Sequence, residues 1–445
     1  MLIDSESLEI DERRAIKALI EREVVPAVGC TEPVAVALAT ARAVEAARSN
    51  PCSTDSEIRS VRARLSGNIV KNAMGVGIPG TGMPGLPIAI GLGAVLGDSS
   101  RGLEILGDVT TEAADEARSE FVGQGKIGIE LADDADDILF IDVEVELVDG
   151  HRGRAVISGG HDRFIRVEAD GVELAEGVSE ERVGEQSVTD RSPELTLRVV
   201  WEYAMGSPID ELAFIRESER LNRRASELAL DGGYGHQVGH TLLHATHRAI
   251  FGDTPFTRVL GRTAAACDAR MGGATVAVMS NSGSGNQGIA ATMPVVAFAE
   301  EVGANEEQKT RALVLSHLTV IYIKQTLGRL SALCGCVVAA TGSTAAMTYL
   351  MGGDYEHVAA AVKNMVANLT GMICDGAKPS CALKLASGVS TAVLSALMAI
   401  ENRSVTPLEG IIDEDVDKTI GNLTTLGRDA MTQTDRMILQ IMTTK

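Results

Sequence analysis

Residues 371–400 read GMICDGAKPSCALKLASGVSTAVLSALMAI. A Gly-containing turn carrying Cys374 and Cys381 runs into an Ala-rich apolar stretch with helical spacing, and this alternation recurs through the C-terminal half. From Glu194 onward the chain reads as Ala-rich helices broken at 252–256 (GDTPF), 280–288 (SNSGSGNQG), 334–343 (CGCVVAATGS) and 371–381. Gly-rich turns between apolar helices cost stability unless the backbone has something to approach, so the pattern points to a buried site for a small ligand.

Outward from there, Glu12–Val25 spaces apolar residues as a helix stopped by Pro26, and Pro33 is expected to open a second helix, VAVALATARAVEAA. Residues 58–65 alternate as a strand. Between Gly102 and Val188 the composition changes: ILFIDVEVELVDG alternates, Asp149–Gly150 reads as a hairpin turn, and 110–123 reads as a helix. The expected architecture is mainly α with an inserted α+β domain. Residues 1–101 and 189–445 would form the helical catalytic domain, and 102–188 a small antiparallel-sheet domain.

The chain has 445 residues, a net charge of −21, 45% hydrophobic and 3% aromatic residues, with 46 Gly and 15 Met. Disorder is excluded by the hydrophobic content, and the acidic balance gives no electrostatic footprint for nucleic acid or an anionic membrane. The uncharged stretches 72–97 and 271–299 are rich in Gly, Pro, Ser and Asn and lack an aromatic belt, so buried segments are expected rather than membrane spans. The N-terminal residues lack a basic region followed by an apolar run, and seven cysteines in such a chain suit a reducing compartment, so a cytoplasmic protein is expected. A homodimer is the default expectation for a helical protein of this size.

Cys334, Cys336, Cys374 and Cys381 fall within 48 residues, in what read as loops, and thiolates are preferred ligands of zinc and of iron–sulfur clusters. The spacing lacks the paired C-x2-C of a structural zinc site and does not choose the metal. Cys30, in GCTEP ahead of a helix, sits where backbone dipoles lower a thiol pKa. His236, His240 and His244 recur every four residues but lack a neighbouring carboxylate, and read as a polar helix face. Lys71 with the 280–288 loop would suit pyridoxal phosphate as a second enzymatic reading. Cys52 and Cys267 read as ordinary thiols.

Five blocks in one order, GCTEP (29–33), SGNIVKNAMGVGIPGTGMPGLPIA (66–89), SGSGNQG (282–288), CGCVVAA (334–340) and GMICDGAKPSCALK (371–384), resemble the L-cysteine desulfidase family. That family is related to the alpha chain of iron–sulfur L-serine dehydratases. The resemblance implies a [4Fe–4S] cluster held by three cysteines with one iron open. Cys374 and Cys381 match two of them, and the third is expected to be Cys334, with Cys336 the alternate. Cys30 stands where serine dehydratases carry a His base, and would act as base or cap the open iron. The implied reaction is β-elimination from L-cysteine or L-serine, giving pyruvate and ammonia, with sulfide from cysteine. Lys71, Asn72 and the Ser282–Asn286 segment would hold the substrate carboxylate, with Lys378 a further candidate by position in its block. A zinc-binding protein without catalytic activity is the non-enzyme alternative.

Overall fold

The computed structural model describes residues 8–50, 53–132, 135, 137–174, 192–328 and 331–444. Cys52 and the expected boundary at 188–189 lie outside the described residues.

The chain begins with α1 (Ile10–Glu23), β1 (Pro26–Val28) and α2 (Thr31–Ala47), then β2 (Ile58–Leu65), α3 (Gly67–Ala73) and α4 (Leu86–Leu96). The helix expected from Pro33 starts two residues earlier. Pro33 therefore sits inside the first turn, where its missing N–H would have had no helical partner. Nearly every residue of α2 is buried because it lies between α4 and the sheet, which is why it is apolar all round.

After α5 (Thr111–Glu116), strands β3 (Ile127–Leu131), β4 (Phe140–Leu147), β5 (Arg152–Ser158), β6 (Phe164–Ala169) and β7 (Val172–Glu173) complete a six-stranded sheet ordered β3-β2-β4-β5-β6-β7. The Asp149–Gly150 turn joins β4 to β5 as expected. The sheet is mixed rather than antiparallel, because β2 pairs parallel with β3 and antiparallel with β4. The crossover that a parallel pair requires is supplied by the helical stretch between residues 66 and 126. Strand β2, from the N-terminal stretch, is thus interior to this sheet.

The helical body follows: α6 (Leu197–Gly206), α7 (Ile209–Leu212), α8 (Arg216–Asp231), α9 (Val238–Leu243), α10 (Arg248–Phe251), α11 (Pro255–Met271), β8 (Ala277–Met279), α12 (Gly285–Val302), α13 (Glu306–Leu327), α14 (Gly335–Leu350), α15 (Tyr355–Leu369), α16 (Cys381–Ile400), α17 (Val416–Thr425) and α18 (Thr432–Thr444). Helix α14 lies at the centre, packed on α12, α13, α15 and α16. Its run of Ala, Gly, Ser and Thr leaves little side-chain bulk between neighbouring helices, and its buried hydroxyls bond within the core: Thr344 Oγ1 donates to Ala392 O at 2.6 Å. Strands β1 and β8 pair antiparallel and tie α1 and α2 to the loop before α12. Among the described residues one helix, α16, is long and apolar enough to cross a membrane; one side of it is buried against α11, α14 and α15.

The expected break at 334–343 is not a loop, since α14 begins at Gly335 and takes Cys336 into its first turn. Nor do the three histidines share a helix face. His236 precedes α9, His240 is within it, and His244 has extended backbone just beyond its end. The His240 and His244 rings lie 4.8 Å apart and those of His244 and His247 5.6 Å, in a stack at the surface. The carboxylate of buried Asp268 accepts from the Gly239 N–H at 2.9 Å at the start of α9, and burial pushes its pKa up to about 6.

His317, on α13, is fully buried and fastens the 280–288 loop. Asn281 Nδ2 donates to His317 Nδ1 and to its carbonyl, both at 3.1 Å. Thr292 Oγ1 lies 2.9 Å from Nε2, and its hydroxyl donates to Gly288 O, so Nε2 carries the proton of a neutral ring. Burial lowers the His317 pKa from 6.5 to about 3. The unfolded chain therefore binds this proton more readily than the folded one between those values, and stability is lost as pH falls from 6.5 toward 3. His317→Gln should flatten that limb of a plot of Tm against pH; an unchanged profile would remove His317 from it.

Candidate active site

Four helices direct their N-terminal ends at one cavity. Cys30 is the N-cap of α2, Ser284 of α12 and Cys334 of α14, while Cys381 is the first residue of α16. Helix α3 contributes Lys71 and Asn72 from its buried side. The cavity wall includes all of these and adds Ser282, Asn286, Cys336 and Cys374. Of the residues that the family resemblance assigned to the site, Lys378 alone is not part of this wall. Its Nζ is bound at 2.6 Å to the Asp375 carboxylate and donates to the carbonyls of Asp375 and Gly376. Lys384 Nζ binds the same carboxylate and donates to Ile373 O at 2.8 Å. Although burial opposes it, the hydrogen bonds from Lys378 and Lys384 hold the Asp375 pKa down to about 2. The two lysines thus staple the loop that carries Cys374.

On the opposite wall Glu32 receives two donors: Cys30 Sγ at 3.0 Å on Oε2 and Asn72 Nδ2 at 3.1 Å on Oε1. The helix end is expected to lower the Cys30 pKa, and the structure reverses this. Burial first, then the Glu32 carboxylate, push it well above the usual thiol range, and Arg270 opposes only in part. A helix end contributes about 0.3–1 kcal/mol, up to about 2 in favourable geometry. Full burial can move a pKa by up to about 3–5 units at about 1.4 kcal/mol each, so desolvation wins. Lys71 is buried with its Nζ ion-paired to Asp435 of α18. Ser282 holds a left-handed conformation, φ +48°, fixed by its N–H on Glu23 O at 2.9 Å. Such strain in a non-glycine residue is characteristic of functional loops.

The four C-terminal thiols sense one another. A hydrogen bond from Cys336 lowers the Cys334 pKa and raises that of Cys336, while burial raises Cys374 and Cys381, with the Cys334 charge adding to both. Convergent buried thiols that repel one another when ionised are a donor set that a positively charged iron core would relieve. Among the described residues no group of three or more His, Cys, Asp or Glu is arranged to hold a single metal ion. In a cubane cluster each cysteine binds a different iron, so its ligands need not converge on one ion, and a donor set made only of thiols is of the kind such a cluster takes.

Sequence reading missed Glu32, Arg270, Gln287, Lys324 and Lys384, all of which line the cavity. Glu32 was inside a quoted block, two residues from Cys30. Arg270 had a fainter signal: a charged residue within a run of small and apolar residues that α11 buries on all sides.

The cysteine loop reaches α3 through Gly376. Its φ is +90°, and a Cβ there would lie 2.0 Å from Lys71 O. Gly376→Ala should cost about 2–4 kcal/mol by displacing the loop from α3. It should also speed the labelling of Cys374 by a thiol reagent; wild-type Tm and labelling rate would show that the contact is dispensable.

The sequence profile described as Serine dehydratase alpha chain matches residues 100–440. The chain is also similar over nearly its whole length to UPF0597 proteins. That of Bacteroides fragilis (strain ATCC 25285) is 55% identical over 434 residues, 98% of this chain and 99% of that protein. That of Bacteroides thetaiotaomicron is 54% identical over 434 residues, 98% of each. In Porphyromonas gingivalis the figure is 49% over 457 aligned positions, 98% of this chain and all of the relative. With the profile spanning the helical body and most of the cavity-lining blocks, the chain belongs to the serine dehydratase alpha-chain family.

Proposed function

We propose that the chain is an iron–sulfur lyase that eliminates the β-substituent of L-cysteine, giving pyruvate, ammonia and sulfide, with L-serine as the alternative substrate. The observation that carries this reading is the meeting of Cys334, Cys374 and Cys381 with Cys30 and Lys71 on one cavity, although they come from opposite ends of the chain. In this reading Cys334, Cys374 and Cys381 hold a [4Fe–4S] cluster, with Cys336 the alternative to Cys334. When bound, such a cluster supplies a thiophilic Lewis acid to a departing sulfur or hydroxyl.

The chain's own groups handle the proton and the substrate. Cys30 passes its proton to Glu32 Oε2, its hydrogen-bond acceptor, and the resulting thiolate takes the α-proton. The environment that keeps the thiol protonated also makes that thiolate a strong base. Asn72, bound to the other Glu32 oxygen, orients the carboxylate. Lys71, Ser282 and Asn286, all buried in the cavity wall, surround the substrate as donors. The aminoacrylate released hydrolyses to pyruvate and ammonia. The pyridoxal phosphate reading needs a free Lys71 amine, whereas this one is in an ion pair.

Protein purified without oxygen should contain about four iron and four acid-labile sulfide per chain and release pyruvate and sulfide from L-cysteine. Cys374→Ala and Cys381→Ala should each lose the iron and the activity. Full iron in either variant, or no iron in the wild type after anaerobic reconstitution, would overturn the cluster assignment.

Cys30→Ala should retain the iron and lose turnover, and Glu32→Gln should lower kcat by about 10²–10⁴-fold with the iron intact. Undiminished kcat in both variants would take the pair out of the mechanism.

A further inference from the structure

Arg270, in the last turn of α11, presents to the cavity a charge that no carboxylate among the described residues pairs with. Its side chain is only 4% exposed. Nη1 donates to Asn286 Oδ1 at 3.0 Å, Nε is buried with no hydrogen-bond partner, and among the described residues no carboxylate pairs with the guanidinium. Burying an uncompensated guanidinium costs several kcal/mol. The fold nevertheless makes room for it: a Cβ at Gly285, the first residue of α12, would lie 2.3 Å from Nε. The start of α12 adds backbone N–H donors beside the cavity. In the same wall Gln287 Oε1 is buried and also unpartnered. One orphaned donor and one orphaned acceptor in a single cavity match the carboxylate and ammonium of an α-amino acid.

We propose that Arg270 anchors the α-carboxylate of the substrate, with Asn286 fixing the plane of the guanidinium. This rests on the amino-acid reading above; of the groups the sequence offered to the carboxylate it keeps the Ser282–Asn286 segment at the start of α12, and it replaces Lys71 and Asn72 by Arg270 of α11. A planar guanidinium in the cavity wall suits capture of a carboxylate, whereas Lys71 already has its carboxylate in Asp435. Arg270 is then a specificity-determining residue: it selects for a carboxylate next to the reacting carbons and rejects the corresponding amine or amide.

Calorimetric titration of the anaerobically purified full chain with L-alanine, which has no leaving group, and with L-alaninamide tests this without turnover. Wild type should bind L-alanine about 10–100-fold more tightly than the amide, the range for a hydrogen bond to a charged group. Arg270→Gln should lose that factor for L-alanine and show no preference. Asn286→Asp, which supplies an internal carboxylate to Arg270 without removing packing, should weaken L-alanine binding and remove its advantage over the amide. Wild-type affinity for L-alanine in both variants, no preference in the wild type, or no L-alanine binding by the wild type would overturn the assignment. Failure of the wild type to turn over L-cysteine and L-serine, with the carboxylate preference intact, would sink the lyase reading and leave the role of Arg270 standing.

Discussion

The convergence of the N-terminal ends of α2, α12, α14 and α16 on a single cavity is the constraint from which the other features follow. Each end brings backbone N–H groups without helical partners and a partial positive charge. Arg270 and Lys71 are buried around the same space. Such a cavity is prepared for anions: thiolates, a carboxylate, or a cluster that carries thiolates with it. Apart from Cys334, whose pKa the hydrogen bond from Cys336 lowers, its own cysteines do not supply those anions unaided, because removing a thiol from water outweighs what a helix end returns. The protonated Cys30 and the raised Cys374 and Cys381 are the result.

Holding four helix ends together requires small residues. Helix α14 threads between its neighbours because it consists largely of Ala, Gly, Ser and Thr, and the low aromatic content of the chain has the same origin. The loops at the helix starts are fixed by polar groups rather than by apolar bulk. A neutral His317 holds the loop before α12, and two lysines on Asp375 hold the loop before α16. Both devices lie just outside the cavity wall or at its edge, so they set the positions of cavity residues without occupying the space a substrate needs.

How much of this was legible in the sequence follows from how local each feature is. Helix existence, the Asp149–Gly150 hairpin and the Gly-rich turn before α16 depend on neighbouring residues and were readable. Cys336 was misread as a loop residue because the Gly335 beside it looks like a breaker, yet it serves as the first residue of a helix whose stability comes from burial on all sides. The parallel pairing of β2 with β3 was not readable, since both strands alternate alike whichever neighbour they take.

The sequence by itself determined a helical protein with small-residue packing, a strand-rich middle, and cysteine-bearing blocks whose order points to one family. Those properties reside in periodicity, composition and short motifs. Only the tertiary structure decided that Glu32 accepts a hydrogen bond from the Cys30 thiol, that Lys378 belongs to a loop staple, and that among the described residues no carboxylate pairs with Arg270 in the cavity wall. The reason is physical: the charge state and reach of a polar side chain depend on which distant groups share its low-dielectric surroundings, and residues 32, 270 and 378 meet their surroundings only after the helices have packed.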